Sequence, residues 1–358
     1  MKLQTFQDVS PIFIVGHARS GTTLLQMLLN SHPDIAIYSE VHFFNSILNL
    51  KNLVPDLNSC QNIDRFFILL EKIKTVEHLH NYEELFQRIK TKLKRDANAN
   101  NASYEAFYKY LLEEYSNLEN SSRLGEKTTT NIRYLEELLQ IFPAAKIIHI
   151  VRNPKDVLAS KIKVPWSSNS IIINAFKWKI DILYGQRFAA NHQKSYIEVR
   201  YEDLVDSPEL EIKRLLAFVN EPFDRSIIDF YKSSKKYVRN EPWKEGVGSP
   251  INQKSVGKGN EELSKSQVIL LEKSIGKTLL DNFNYSTYKN NISVAMLLIT
   301  ILKDIANYTI YKYGEKRNRS NNKKIYPNNE KIKSSLLKVL FFSNGSKLIK
   351  CYSNRPVE

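Results

Sequence analysis

The sequence predicts an α/β fold, in which a parallel sheet flanked by helices carries a helical insertion and a basic helical C-terminal extension. Three observations carry this prediction. Ile12–Val15 and Ile147–Val151 are short apolar runs with the composition of buried strands. Each is followed, after a turn, by a helix-like segment. Ser195–Tyr201 then repeats the pattern ahead of a helix over 208–219. Strands that alternate with helices build a parallel sheet covered on both faces.

The elements follow in chain order. Ile12-Phe13-Ile14-Val15 runs into Gly16, and Leu24–Leu29 beyond the loop is apolar on nearly every side until His32-Pro33 stops it. Ile35–Tyr38 is a second strand-like run. From Phe43 to about Glu119 the chain is rich in Leu, Phe, Tyr and Lys at helical spacing, with Pro55 as its single proline and no glycine. This predicts a helical insertion over about 43–120, either a lid or an acceptor-binding region. Residues 131–142 read as a helix, a further helix starts at Pro154, and a last core helix spans about Leu263 to Leu280. The core is expected to end near Tyr288, giving one domain over 1–288 and an extension over 289–358.

The net charge of +14 is unevenly spread, because residues 289–358 hold fourteen Lys/Arg against four Asp/Glu, leaving +4 for the other 288 residues. Basicity therefore belongs to the tail, and nucleic acid is not an expected partner of the core. Within the tail, Ser293–Leu302 is strongly apolar but meets Lys303-Asp304, too short a run for a membrane span. Its helix-like continuation to Tyr313 and Leu336–Phe342 form two amphipathic pieces joined by a basic, Asn-rich linker over 315–333, suited either to peripheral membrane contact or to packing back on the core. The N-terminal residues show no targeting pattern, and Cys60 and Cys351 lie in regions of different character. A cytoplasmic setting, with that tail as its link to a membrane, is the expectation.

Two loops bear the marks of anion sites. Gly16-His17-Ala18-Arg19-Ser20-Gly21-Thr22-Thr23 lies between a buried strand and a buried helix, where backbone N–H groups converge as they do around phosphate or sulfate. Its glycines have P-loop spacing, but Thr22 stands where a nucleotide triphosphatase has lysine. Such a loop suits a ligand of lower charge, held by N–H groups, hydroxyls and Arg19 without a metal. In the second loop, Asn153 is a good N-cap, Pro154 suits the first helical position, and Asp156 favours the first turn. Arg152 and Ser160 can jointly hold one phosphate.

Ala18–Leu24, His32-Pro33 and Ser39-Glu40 resemble the 5′-phosphosulfate loop region of sulfotransferases, most closely the tyrosylprotein-sulfotransferase type and its bacterial relatives. Arg152 and Ser160 resemble that family's 3′-phosphate site. The resemblance implies a P-loop-like sheet and 3′-phosphoadenosine 5′-phosphosulfate as co-substrate, bound by Arg19, Ser20, Gly21, Thr22, Thr23, Arg152, Ser160, Tyr201 and Lys258. Tyr201 lies in a Tyr-Glu-Asp-Leu segment in which Arg200 and Glu202 are expected to pair. Lys258 is followed by Gly259, where the family often has an aromatic residue.

Sulfuryl transfer to an acceptor hydroxyl needs a base and positive charge on the leaving phosphate. Glu40, at the end of the second strand-like run, is the expected base, with His42 and His17 as rivals. Lys127, in Gly125-Glu126-Lys127-Thr128, resembles the lysine that the family aims at the bridging oxygen, beside Arg19. No metal is expected. The acceptor is a carbohydrate, lipid, tyrosine or small alcohol. The competing readings are a divergent P-loop NTPase or kinase and a non-catalytic membrane-binding protein with a nucleotide fold.

Overall fold

The computed structural model describes residues 10–73, 83–164, 166–232, 249–285, 287 and 292–321, with side chains described up to Tyr313. Five parallel strands, β1 (Ile12–Gly16), β2 (Ile35–Ser39), β3 (Arg123–Lys127), β4 (Lys146–Val151) and β5 (Tyr196–Arg200), form one sheet in the order β2-β3-β1-β4-β5. Every residue of β1 is buried, as its continuous apolar run requires in a central strand.

Strand alternation divides the core into two layers. Ile12 and Ile14 point to the face covered by α1 (Thr22–Leu29), α8 (Tyr201–Asp206) and α9 (Pro208–Val219). Phe13 and Val15 point to the opposite face, where the insertion sits. That insertion comprises a π-turn and a 3-10 turn over Phe43–Asn52, then α2 (Cys60–Leu70), α3 (Glu83–Asn98) and α4 (Tyr104–Leu118). It shares one apolar cluster with the sheet, through Phe107, Tyr108, Leu111 and Leu112 against Phe13, Tyr38 and Phe142. The segment is therefore a full layer of the domain, with α4 as the crossover helix from β2 to β3.

Two stretches read as single helices are broken, while the helix expected over 208–219 is α9 itself. Over 131–142 a 3-10 turn (Thr129–Arg133) gives way at Tyr134 to α5 (Leu135–Ile141). The stretch Leu263–Leu280 is divided between two helices, α11 (Lys265–Ile275) and α12 (Lys277–Asp281), and a short α10 (Lys258–Glu262) precedes it. Ser264 and Gln267 form a capping box that starts α11, and Gly276, at φ 98°, ends it. The segment after β5 bends into α8 before α9.

α6 (Pro154–Lys161), α7 (Ile171–Ala189) and α11 enclose a third cluster around Trp178, and α13 (Val294–Asn321) packs on it through Leu297 and Ile301. The helix continues through Tyr313, as expected from the sequence, and its segment Val294–Tyr313, unlike Ser293–Leu302 alone, is long and apolar enough by length and composition to cross a membrane. Leu336–Phe342 and Cys351 lie outside the described residues.

The sheet leaves no space at Gly125. A Cβ there would meet the Ile12 carbonyl oxygen at 2.3 Å and Ile37 Cδ1 at 2.5 Å, so the strand backbones would have to shift. Gly125→Ala is expected to destabilise the domain by roughly 2–3 kcal/mol, read from the urea midpoint. An unchanged midpoint would mean that β3 sits more loosely between β1 and β2.

Candidate active site

The C-terminal ends of β1 and β4 are adjacent, with Gly16 in register with Ile150, while Ser39 at the end of β2 pairs with Lys127 at the end of β3. Because the strand order turns at β1, the loops after β1 and β4 leave the sheet edge side by side, the position at which open α/β sheets bind ligands.

The β1 loop is set by backbone conformation. Arg19, at φ 75°, and Gly21, at φ 97°, are both left-handed. The Arg19 conformation costs of order 1 kcal/mol for a residue with a Cβ. At Gly21 a side chain is excluded twice, by φ and by the Tyr201 ring, which an added Cβ would meet at 2.4 Å. Gly21 then leads into α1, whose N-terminus has no side-chain cap. Ser20 Oγ is fully buried and has no hydrogen-bond partner.

Arg152 and Ser160 meet this loop from the β4 side. Asn153 caps α6 by accepting from the Lys155 N–H at 3.0 Å, as its position in the sequence predicts. Arg152 donates to the Arg19 carbonyl at 3.2 Å and to the Ser255 carbonyl at 2.5 Å, and its guanidinium lies 4.3 Å from the centre of the Tyr201 ring. Its Nε is buried and without a partner. Ser160 Oγ accepts from Arg19 Nε at 2.9 Å. Arg19, Ser20, Gly21, Arg152, Ser160 and Tyr201 therefore form one cluster, joined by Thr22 and Thr23 at the start of α1. Two orphaned buried polar atoms, Ser20 Oγ and Arg152 Nε, give this cluster unused capacity for an anionic ligand such as a sulfonucleotide.

Lys258 is the first residue of α10 and its side chain is exposed. The segment is held near Arg152 by Asp156, whose carboxylate accepts from the Gly257 N–H at 3.0 Å and the Gly259 N–H at 2.7 Å. The glycine after Lys258 has a packing reason, since a Cβ at Gly259 would meet the backbone of Lys155 at 2.3 Å.

On the other side of β1, Lys127 is fully buried and its Nζ lies 2.6 Å from Glu40 Oε1. His42 Nε2 is 3.5 Å from the second carboxylate oxygen. Partial burial acts to raise the Glu40 pKa, but Lys127 and His42 outweigh it and hold the carboxyl well below its ordinary range. The Glu40 side chain keeps 36% of its surface exposed, so the group faces the site rather than the core. Glu40 and His42 both have positive φ, at 44° and 55°. Glu126 pins the bend between them. Its carboxylate, fully buried, accepts from the Val41 N–H at 3.1 Å, from Asn131 Nδ2 at 3.0 Å, and from the hydroxyls of Thr128 and Tyr108.

Beneath the β1 loop lies a buried chain of charges. Arg133 Nε donates to Asp181 Oδ1 at 2.7 Å, His17 Nδ1 lies 2.6 Å from Asp181 Oδ2, and Lys161 Nζ lies 2.9 Å from His17 Nε2. Burial, then the Lys161 charge, push His17 down to about 4, and burial, then Lys177, push Lys161 down to about 7. Both ring nitrogens of His17 are engaged, which removes it as a rival base. Arg200 and Glu202 do not pair as expected. Arg200 reaches Asp203 one helical turn on, at 3.3 Å, while Glu202 accepts from the Asn153 N–H at 2.9 Å and from the Tyr285 hydroxyl at 3.0 Å.

Sequence reasoning assigned no role to Glu126, Lys161 or Asp181. Glu126 was in view as part of Gly125–Thr128, but its four donors come from the residue after β3, the turn that follows it, the β2 loop and the insertion. For Asp181 the available signal is its place between the apolar residues Ile180 and Ile182 of α7.

The sequence profile described as the sulfotransferase family matches residues 11–225, a span that contains Arg19, Glu40, Lys127, Arg152, Ser160 and Tyr201. An uncharacterized protein of Aquifex aeolicus (strain VF5) is 27% identical over 63% of this chain and 27% of its own length. Protein-tyrosine sulfotransferase 1 of Danio rerio is 26% identical over 62% of this chain and 56% of its own. The chain thus spans about a quarter and somewhat over half of these two relatives. Among solved structures, the sulfotransferase domain from the curacin biosynthetic pathway aligns over 82% of this chain and 97% of its own, at 19% identity and a TM-score of 0.46. With the profile matched over more than half of its residues, this chain belongs to the sulfotransferase family.

Proposed function

We propose that this protein transfers the sulfuryl group of 3′-phosphoadenosine 5′-phosphosulfate to an acceptor hydroxyl, with Glu40 as base. The observation that carries the reading is the Lys127–Glu40 pair at 2.6 Å, at strand ends beside a loop built to hold an anion. The bound sulfonucleotide supplies an electrophilic sulfur and a phosphate leaving group. The chain's own groups do the rest.

Arg152, Ser160 and Tyr201 would hold the 3′-phosphate, with Lys258 closing over it. The hydroxyls and N–H groups of Ser20, Gly21, Thr22 and Thr23 would hold the 5′ end. Arg19 and Lys127 place positive charge where negative charge develops on the leaving oxygen. Glu40 takes the proton of the acceptor hydroxyl. In the resting pair the Lys127 charge keeps Glu40 a weak base, and drawing that charge toward a bound anion strengthens it. Two cations already stand at the site, so the reading needs no metal.

Membership in the family displaces the phosphoryl-transfer reading, which the threonine at position 22 also disfavours. The Danio rerio relative is named for protein tyrosine. For this chain the acceptor is a hydroxyl, with carbohydrate, lipid, tyrosine and small alcohol as the panel to assay.

Calorimetric titration with 3′,5′-adenosine bisphosphate in EDTA is expected to show binding, and Arg152→Ala to weaken it roughly 10- to 100-fold. Absence of metal-free binding would overturn the nucleotide site. Glu40→Gln is expected to lower transfer by roughly 10²- to 10⁴-fold while leaving bisphosphate affinity unchanged. Turnover that survives this change would exclude Glu40 as base and return His42 to that role.

The pH profile gives a further check. A carboxyl held low by Lys127 stays ionised into acid, so the acid limb of kcat/KM should lie below the ordinary glutamate value of 4.5. In Lys127→Met the depressing charge is gone, and the limb should move to higher pH. A limb that stays put would mean that the titrating group is not Glu40.

A further inference from the structure

We propose that α13 is a docking surface for an anionic membrane, on which it lies without crossing. The proposal is independent of the chemistry at the strand ends. Helical spacing sorts α13 into two faces. Leu297, Thr300, Ile301 and Asp304 turn inward, at intervals of three and one that keep to a single stripe. Outward stand Val294, Leu298, Ile299, Leu302, Ile305 and Ile310, each between 53% and 74% exposed. These six side chains form a continuous apolar face, with Lys303 at its edge and no other charge before Lys312 apart from the buried Asp304. An apolar helix face of this extent marks an interaction surface.

The inward stripe fixes how that face is presented. Asp304, 3% exposed, accepts from the Ser170 hydroxyl at 2.7 Å, from the Ile171 N–H and from the Ile172 N–H at 3.3 Å. It thereby caps the N-terminus of α7, where a carboxylate is favoured by the helix dipole. Insertion of α13 across a bilayer would carry this carboxylate into hydrocarbon and strip α7 of its cap. Although Val294–Tyr313 satisfies the length and composition of a span, the capped aspartate at its midpoint holds the helix against the domain.

Charge identifies the occupant. The segment 312–324, which follows directly on the apolar face, has six Lys/Arg (Lys312, Lys316, Arg317, Arg319, Lys323, Lys324) against Glu315 alone. An apolar face followed by a basic segment matches a bilayer with anionic headgroups, where each basic residue near the surface adds to the attraction. A second copy of this chain would bring the same basic segment and no compensating acid. Beside the face, a recess of about 380 Å³ lies between α13 and the residues that follow α6, lined in part by Ile162, Lys163, Val164 and Ile310.

Flotation of the full-length protein with phosphatidylcholine vesicles, with and without about one-third phosphatidylglycerol, tests this. We expect binding to the anionic vesicles, at least about tenfold weaker binding to the neutral ones, and release by alkaline carbonate. Leu298→Glu/Leu302→Glu and, separately, Lys316→Glu/Arg317→Glu/Arg319→Glu should each reduce binding at least about tenfold without changing the melting temperature. Leu298→Asn/Leu302→Asn replaces the first variant if the glutamates disturb folding. The proposal is overturned if the full chain fails to float or if the Leu298 and Leu302 variants float like the parent. Resistance to carbonate, which marks a spanning helix, would also overturn it. So would a lipid-free dimer that the same substitutions dissociate.

Discussion

A lysine with no exposed surface must have a counter-charge, and at Lys127 that requirement shapes the whole sheet edge. The counter-charge is Glu40, which belongs to the neighbouring strand's exit loop and reaches Lys127 only because the backbone turns through two positive-φ residues on either side of Val41. Such turns are unfavourable for residues with a Cβ and persist where their surroundings determine them. Here the determinant is the buried Glu126 carboxylate, which grips the Val41 N–H. Adjacent residues of one strand thus act on the same loop from opposite faces, Glu126 by holding its backbone and Lys127 by holding its side chain. The insertion participates as well, because the Tyr108 hydroxyl of α4 completes the Glu126 shell.

Much of the fold was legible because the central strands are buried on both faces and so must be apolar throughout. The runs at 12–15 and 147–151 could not be anything exposed, and the alternation of strand and helix then dictated parallel pairing. The anion loops were equally plain, since each carries its own local specification: glycine before a helix in one, Asn153-Pro154 in the other. Composition says little, however, about where a helical segment breaks. Tyr134 interrupts one stretch without any breaker residue to announce it, and Gly276, at φ 98°, ends another through its own backbone conformation. The role of the insertion was hidden for a related reason. Its apolar spacing shows that it buries a face, but only the sheet reveals that the face is shared with Phe13 and Tyr38.

The charged interior was the least legible part. Arg133, Asp181, His17 and Lys161 come from four separate elements, and no spacing in the chain links them. Arg133, Asp181 and Lys161, each taken alone, have the look of solvated residues. Buried together, they satisfy one another's hydrogen-bonding needs, which is the condition under which charged groups can be enclosed at all. The Arg200–Glu202 expectation failed on similar grounds. Arg200 ends a strand and Glu202 lies in the first turn of the helix that follows, so Glu202 accepts from Asn153 and Tyr285 instead.

Arg19 is bonded twice across the same gap, through its carbonyl to Arg152 and through its guanidinium to Ser160. The loop after β1 and the loop after β4 are consequently one thermodynamic object. Removing Arg152 frees the backbone of Arg19, and removing Ser160 frees its side chain, so the two deletions draw on a common store of order and their energies cannot be summed. The ends of a nucleotide gripped by these loops would share that non-additivity: whichever end settles first relieves part of the ordering cost for the other.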